Sequence, residues 1–201
     1  MIGDSHSSYI IGKPVRRFLK GHDSFYAFWL GPKTLHSVAR SSIDTGYFYR
    51  LIKLIRFNSI IFQLGEIDVR VFLCDQQNSF QLPPSVLDDY VKVAKKFSNS
   101  VGVKNLFVMA PVPPSDFGFD NPKYPRSGNL QNRINSHRKL NSDLKKVCNQ
   151  NSIVFLDTTS ILSNETGSLD LALTADGCHV NSKGSVLVRK FILKEVGKIH
   201  L

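Results

Sequence analysis

Short apolar runs, rich in β-branched and aromatic residues, recur along the chain, and each is followed by residues that favour a loop. Runs of this length that end at Gly, Pro or Asp are typical of strands buried on both faces of a sheet. The pattern therefore predicts four strands, over residues 25–30, 59–64, 105–110 and 153–156.

Longer segments between these runs carry apolar residues at helical spacing. They predict helices over residues 34–56, 84–100, 129–150 and 182–197. Alternating strands and helices form a parallel sheet with helices on both faces, so we expect an α/β domain of that kind. One further strand is needed to complete the pattern, and only two residues precede Gly3 to supply it. We expect that strand to be short, or to begin in residues upstream of this sequence.

The length of 201 residues fits a single domain over residues 1–201, large enough to bury its own core. Arg50, Lys53 and Arg56 interrupt the most apolar stretch, so we expect no membrane-spanning helix. The first residues contain neither a basic nor an apolar leader segment. This favours a cytoplasmic protein, unless a signal lies upstream.

The cysteines are few and irregularly spaced. Cys74, Cys148 and Cys178 include no Cys-x-x-Cys pair, so they predict reduced thiols rather than a disulfide framework or a zinc site. We expect no cofactor and no metal.

Basic residues outnumber acidic ones by 26 to 16, which gives a formal net charge of +10. Such an excess favours approach of an anionic partner, such as an acidic polysaccharide, a nucleic acid or an anionic membrane surface. The basic residues are scattered at spacings expected of solvated helix faces, without the interleaved aromatic residues typical of RNA-binding proteins. Specific nucleic-acid binding is therefore not indicated.

Two motifs at opposite ends of the chain carry side chains suited to nucleophilic catalysis. Gly-Asp-Ser-His at residues 3–6 places a serine between a strand and a helix, where backbone amides would face a developing oxyanion. Asp-Gly-Cys-His at residues 176–179 lets a carboxylate orient an imidazole that can act as a base. Gly-Asp-Ser is also an ordinary turn and cap sequence, and Asp-x-x-His by itself is more typical of a metal-free turn with a surface histidine.

Together with two further blocks, these motifs resemble the SGNH hydrolase superfamily, also called the GDSL-type lipases and esterases. The further blocks are Gly31 after the second strand and Gly-Glu-Ile-Asp at residues 65–68 after the next strand. The resemblance covers essentially the whole chain and implies a three-layer α/β/α flavodoxin-like fold with a five-stranded parallel sheet. In that topology the first and third strands flank the crevice where strand order reverses.

The resemblance also implies a role for each matching residue. Ser5 would be the nucleophile and His179 the general base and then the general acid. Asp176 would orient the histidine. The backbone amides of Ser5 and Gly31 would donate hydrogen bonds to the oxyanion.

One position departs from the family pattern. The third block usually reads Gly-x-Asn-Asp, with the asparagine donating to the oxyanion, and this chain has Ile67 there. Losing one such donor costs about 2.7–4 kcal/mol of transition-state stabilisation unless another group substitutes. Arg70 could stabilise the oxyanion or hold an acidic substrate. Alternatively, Glu66, Asp68 and Arg70 form a structural ion-pair network beneath the loop.

Two further features could support or line the site. His6 follows the serine directly and could line the pocket or have a structural role. Residues 115–127 form a loop after the third recognised strand, at the sheet edge where such folds bind ligands. A simple surface excursion is the alternative for this loop. Its candidate substrate contacts are Asp116, Phe117, Phe119, Tyr124 and Arg126.

These observations favour a serine esterase that hydrolyses or transfers an ester-linked acyl group through an acyl-serine intermediate. We expect a small acyl group such as acetyl on a carbohydrate, because such enzymes are common in the superfamily and the chain has no broad apolar region suited to a lipid. A non-catalytic binding domain, with Ile67 marking a disabled oxyanion hole, is a second hypothesis. A domain of a larger glycan-modifying protein is a third. The sequence leaves the oligomeric state open.

Overall fold

A computed structural model describes residues 1–11, 18–20, 25–41, 43, 46–74, 82–118 and 121–198. Its centre is a six-stranded sheet with the strands in the order β2-β3-β1-β4-β5-β6. The strands are β1 (Ile2–Gly3), β2 (Phe18–Lys20), β3 (Tyr26–Trp29), β4 (Ser59–Gln63), β5 (Asn105–Met109) and β6 (Val154–Leu156).

Five of these strands are parallel, which confirms the predicted fold class. Counted among themselves they have the order 2-1-3-4-5 of a flavodoxin-like sheet. The edge strand β2 was not predicted from the sequence. It pairs antiparallel with β3, with Leu19 opposite Ala27.

The first parallel strand is two residues long, yet it lies in the middle of the sheet. Ile2 pairs with Phe28 on β3 and with Phe62 on β4. Gly3 is needed there because a Cβ at this position would lie only 2.2 Å from the carbonyl oxygen of Gln63. β1 directs the following residues to the carboxyl edge of the sheet.

Helices cover both faces of the sheet. One face carries α1 (Ser5–Ile10), the short α6 (Thr159–Leu162) and α7 (Ser182–Gly197), and the other carries α2 (Leu35–Ser41), α3 (Gly46–Ile55), α4 (Pro84–Val101) and α5 (Leu130–Gln150). Asp68–Phe72 forms one π-helical turn and Leu171–Leu173 one 3-10 turn.

The prediction of one helix over residues 34–56 was wrong. The segment forms α2 and α3, with Ile43 buried between them. The sequence at the break, Ser-Ser-Ile-Asp-Thr-Gly at residues 41–46, is rich in residues that favour helix caps and turns over helix interiors. Two shorter helices keep the apolar side chains on the sheet.

Strand side chains alternate between two buried layers. Phe62 and Val108 pack with the helices α2 to α5, while Ile61 and Phe107 pack with α1 and α7. Because both faces are covered, the strands read as continuous apolar runs rather than as alternating patterns. In the described residues, no helix has the length and apolarity required to span a membrane.

Candidate active site

The sequence motifs meet at the carboxyl edge of the parallel strands. Ser5 begins α1 directly after β1, and residues 65–70 follow β4. Gly31 comes after β3 and is held beside the serine loop, because the amide of Leu30 donates to the carbonyl of Gly3 at 2.8 Å. Residues 176–179 precede α7 and lie over this edge, against α1.

A continuous chain of hydrogen bonds joins the sequence motifs at residues 3–6 and 176–179. Ser5 Oγ lies 2.8 Å from His179 Nε2, and His179 Nδ1 lies 2.8 Å from Asp176 Oδ2. The other carboxylate oxygen of Asp176 accepts from the amides of Cys178 at 2.9 Å and His179 at 2.7 Å. The imidazole therefore contacts the serine through one nitrogen and the carboxylate through the other.

Hydrogen bonding keeps Asp176 ionised. Burial alone would raise the pKa of this carboxyl group, but the amide and imidazole donors of His179 and the amide of Cys178 hold the pKa below its ordinary value. An ionised Asp176 can hold His179 in the tautomer that leaves Nε2 free to accept a proton.

Two glycines allow the loop that carries Asp176 to approach the loop after β5. Gly118 and Gly177 have φ angles of +85° and +82°. A Cβ on Gly177 would lie 1.7 Å from the carbonyl oxygen of Phe117, and one on Gly118 would lie 1.8 Å from that of Asp176. The backbones touch directly, so this contact fixes the height of the acid–histidine pair above the sheet.

Aromatic rings surround His179. The ring of Tyr9 stacks on it at 4.1 Å between centroids, and the ring of His6 is tilted against it at 4.8 Å. Burial, followed by the charge of His6, lowers the pKa of His179 below 6.5. The imidazole is therefore neutral, and able to accept a proton, at neutral pH.

Behind the histidine lies a buried ion-pair network. Arg70 Nε donates to Glu66 Oε1 at 2.6 Å, and Arg70 also donates to the carbonyl of Tyr124. The second oxygen of Glu66 lies 3.5 Å from His6 Nε2. Burial would raise the pKa of Glu66, but His6 and Arg70 lower it to about 2.

His6 is almost completely buried within this network. Burial alone would lower its pKa, yet Asp4, Cys178 and Glu66 together hold the pKa well above the ordinary value. Asp4 also accepts from the His6 amide at 3.0 Å, which caps α1. His6 thus supplies a positive charge beside His179.

Asp68 binds the start of α2 instead of joining the ion pair of Glu66 and Arg70, contrary to the expected three-residue network. Its Oδ2 accepts from the amide of Leu35 at 2.8 Å, at the start of α2. Burial raises its pKa to about 7. The structure therefore forms the expected Glu66–Arg70 pair, and it uses Asp68 to hold α2 against the loop after β4.

A pocket of about 320 Å³ opens beside the hydrogen-bonded serine. Ile67 lines it and is 5% exposed, so an aliphatic side chain stands where the family pattern has an amide donor. Gly31 has a φ of +88°, and its neighbours Trp29 and Pro32 line the same pocket. The loop after β5 adds Val112, Pro113, Pro114, Ser115, Asn121, Tyr124 and Arg126.

The described part of the loop over residues 115–127 both lines the pocket and reaches solvent. Arg126 donates to the carbonyl oxygens of Phe117 at 2.7 Å and Gly118 at 3.3 Å. Phe117 itself is 54% exposed. Asp116 is paired with Arg133. Phe119 lies outside the described residues.

Sequence reasoning missed Arg133, Tyr9 and Trp29. Arg133 is 2% exposed, lines the pocket and donates to the carbonyl of Gly128 at 2.7 Å. In the sequence it is one more basic residue on a helix, and no spacing distinguishes it. Tyr9 stands one helical turn after Ser5, which is the one signal that could have placed it beside the site.

Cys178 gives the site a soft ligand. Its Sγ lies 3.8 Å from His6 Nε2, and one ligand atom each from His6, Cys178 and His179 lie within 4.8 Å of one another. These are the side chains in the described site that could hold a metal ion.

Several solved structures have a fold similar to that of this chain. No known family profile and no curated protein matches the sequence. Among solved structures, a GDSL-like lipase from Bacteroides thetaiotaomicron matches with a TM-score of 0.61 at 11% identity, over 98% of this chain and 86% of that one. A carbohydrate acetylesterase from Sinorhizobium meliloti matches with a TM-score of 0.57 at 14% identity, over 96% and 83%.

A third match is an acetylxylan esterase from Geobacillus stearothermophilus, with a TM-score of 0.59 at 13% identity, over 98% of this chain and 92% of that one. Its solved structures include catalytic mutants at a serine, at an aspartate and at a histidine three residues after that aspartate. At these identities the likeness is one of fold. The chain thus has the α/β/α fold of the SGNH hydrolases, the superfamily that its four sequence blocks resemble.

Proposed function

We propose that this protein is a serine esterase with Ser5 as nucleophile, His179 as general base and Asp176 as the residue that orients the base. The observation that carries the proposal is the 2.8 Å contact between Ser5 Oγ and His179 Nε2, made by residues 174 positions apart in the chain. A lone serine or a lone Asp-x-x-His turn is ordinary, but their convergence beside a pocket is what nucleophilic catalysis requires.

The reaction follows from these contacts. Ser5 Oγ attacks the ester carbonyl while His179 Nε2 accepts the hydroxyl proton, and the carboxylate of Asp176 stabilises the resulting imidazolium. His179 then gives the proton to the departing alkoxide, which leaves an acyl-serine. Water, deprotonated by His179, attacks the acyl carbon and releases the acid. If an alcohol enters instead of water, the same steps transfer the acyl group.

We infer that the oxyanion is held by two backbone donors, the amides of Ser5 and Gly31. Ile67 has no polar hydrogen to donate. The guanidinium of Arg70 is engaged by Glu66 and by the carbonyl of Tyr124, which favours a supporting role over donation to the oxyanion. A missing side-chain donor predicts slower turnover rather than none.

For the substrate we propose a small acyl group, such as acetyl, on a carbohydrate. The pocket volume of about 320 Å³ is at the lower end of small-molecule sites, which fits a short acyl chain better than a lipid. Trp29 and Tyr124 add aromatic surface, and sugar rings pack on such surfaces. Two matched structures are a carbohydrate acetylesterase and an acetylxylan esterase. The net charge of +10 would favour an anionic saccharide.

A binding domain without turnover is the second candidate, and the buried side chain of Ile67 is the observation that favours it. In that case an acylated saccharide would bind in the pocket and dissociate unchanged. This alternative predicts no difference in acetate release between the wild-type protein and its Ser5→Ala variant.

The test measures acetate release from an aryl acetate and from acetylated xylo-oligosaccharides. We expect turnover by the wild-type protein, loss to the background rate in Ser5→Ala and His179→Gln, and faster reaction with acetyl than with octanoyl esters. Ser163→Ala changes a serine outside the pocket lining and serves as the control. Equal rates for wild type and Ser5→Ala would rule out the esterase, and preference for octanoyl esters would overturn the substrate class alone.

A further inference from the structure

Three soft side chains meet on one side of the proposed nucleophile. His6 Nε2 lies 3.8 Å from Cys178 Sγ, and a ligand atom of His179 completes a triangle with no separation above 4.8 Å. Donors bound to one tetrahedral zinc ion are about 3.5 Å apart, given bond lengths of about 2.0–2.3 Å. The three separations therefore exceed the spacing of a tetrahedral zinc site by at most about 1.3 Å.

The surroundings of each imidazole suit metal binding. His179 Nδ1 is held by Asp176 at 2.8 Å, which leaves Nε2 as the nitrogen that can face a metal. A carboxylate behind a ligating histidine is the arrangement that fixes such ligands in zinc sites. His6 Nδ1 is buried and makes no hydrogen bond with the described residues, so this ring is not locked through both of its nitrogens.

Negative charge lies close to the cluster. Glu66 Oε2 is 3.5 Å from His6 Nε2, and a bound cation would add its charge to a buried region that already contains the carboxylates of Glu66 and Asp4. Two imidazoles and a thiol form a nitrogen and sulfur donor set, which selects zinc, cobalt or copper over magnesium or calcium.

We propose that His6, Cys178 and His179 form a site for a soft transition-metal ion such as Zn²⁺, and that occupancy of this site inhibits the enzyme. Metal bound at His179 Nε2 replaces the contact with Ser5 Oγ, so the serine loses its base. Metal binding at the three side chains stands by itself, whereas the inhibition rests on the proposed function. His179 would then be both the proposed catalytic base and a metal ligand, so esterase activity would fall when Zn²⁺ binds.

The test titrates the full chain with Co²⁺ and follows the thiolate-to-cobalt charge-transfer absorption, which needs no enzyme activity. We expect this band, at one equivalent of metal, in the wild-type protein and in Cys148→Ala, a variant that removes a buried thiol elsewhere. Cys178→Ala should lose the band, and His6→Asn should weaken Co²⁺ binding at least tenfold. Zn²⁺ should displace Co²⁺ and abolish the absorption.

Absence of the band in a folded wild-type protein, verified by circular dichroism, would overturn the site. Persistence of the band in Cys178→Ala would overturn it equally. The inhibition is measured separately, as aryl acetate hydrolysis with Zn²⁺ before and after chelation by EDTA. A cobalt band without any esterase activity would contradict the proposed function and leave the metal site standing.

Discussion

At the scale of single residues, the site depends on how its charges are arranged. In the proposed mechanism, His179 must be neutral to accept the proton of Ser5. Asp176 must be ionised to hold the imidazole of His179 in position. Burial and the charge of His6 both lower the pKa of His179, so the base form persists below the usual pH range of a histidine. His6 in turn keeps its charge because Asp4, Cys178 and Glu66 lie beside it.

This arrangement predicts the pH dependence of the reaction. A base with a lowered pKa loses its proton at lower pH, so kcat/KM should rise through a midpoint below pH 6.5. In His6→Gln the nearby positive charge is removed, which should raise the His179 pKa and move that midpoint upward. The measurement is kcat/KM for an aryl acetate from pH 4 to 9. A midpoint that does not move in His6→Gln would contradict the assigned influence of His6.

Ile67 offers a second prediction at this scale. Ile67→Asn places an amide at the position where the family pattern has an oxyanion donor. We expect kcat to rise, by up to about 100-fold, because one such donor is worth about a hundredfold or more in rate. Ile67→Leu keeps an aliphatic wall and is the matched control. A fall in kcat for both variants would show that the pocket needs the shape of the isoleucine side chain, and a fall in Ile67→Asn alone would show that it needs an aliphatic side chain.

The proposed triad could be chosen from the sequence, because Ser5, Asp176 and His179 occur in short motifs in the order of the family pattern. The network of His6, Glu66 and Arg70 could be anticipated only as a group of charges. Which carboxylate pairs with Arg70 depends on where α2 begins, since Asp68 is used by the amide of Leu35. The hydrogen bond from Leu35 to Asp68 joins positions 33 residues apart, so no periodic pattern in the sequence indicates it.

At the scale of secondary structure elements, the loops at the carboxyl edge determine the geometry. The strands could be predicted because buried parallel strands are continuous apolar runs. The break between α2 and α3 was missed, although Ser-Ser-Ile-Asp-Thr-Gly at residues 41–46 contains residues that favour helix caps and turns. The edge strand β2 depends on its pairing with β3, a partner that its own three residues do not specify.

The contact between Gly118 and Gly177 predicts that the acid–histidine loop tolerates no side chain there. Gly177→Ala places a Cβ 1.7 Å from the carbonyl oxygen of Phe117 at a φ of +82°, so the loop must move. We expect kcat/KM to fall about 100-fold, because a displacement of about 1 Å at a catalytic group has this effect. Gly197→Ala, at a helical position with open space, is the control.

The decisive comparison in that experiment is between activity and thermal stability. Gly177→Ala should lose activity while its Tm stays within several degrees of wild type, since the loop lies at the sheet edge. Unchanged activity in Gly177→Ala would show that the height of this loop does not set the position of His179.

At the scale of the whole molecule, the buried carboxyl groups connect stability with pH. Burial raises the pKa of Asp4 from 3.8 to about 6 in the folded protein. A carboxyl group with a raised folded-state pKa favours folding at low pH, and this contribution is lost as pH rises through the folded-state value. The stability contributed by Asp4 therefore declines between about pH 4 and pH 6.

Asp4→Asn tests this dependence, because asparagine can still cap α1 but does not titrate. The free energy of unfolding of Asp4→Asn, relative to wild type, should increase as pH rises from about 4 to about 6 and then level off. Urea denaturation at several pH values measures it. Asp89→Asn, at a residue on the exposed side of α4, is the matched control. A parallel course for Asp4→Asn would contradict the burial-driven shift.

We propose that Ser5 is a nucleophile activated by His179 and Asp176. The residue that a covalent probe labels is the most direct test of this role. The measurement is peptide mass spectrometry after reaction with a fluorophosphonate probe. We expect one adduct, on the peptide that contains Ser5. This adduct should be absent in Ser5→Ala and should form much more slowly in His179→Gln. An unlabelled wild-type protein, or an adduct at another residue that survives in Ser5→Ala, would contradict it.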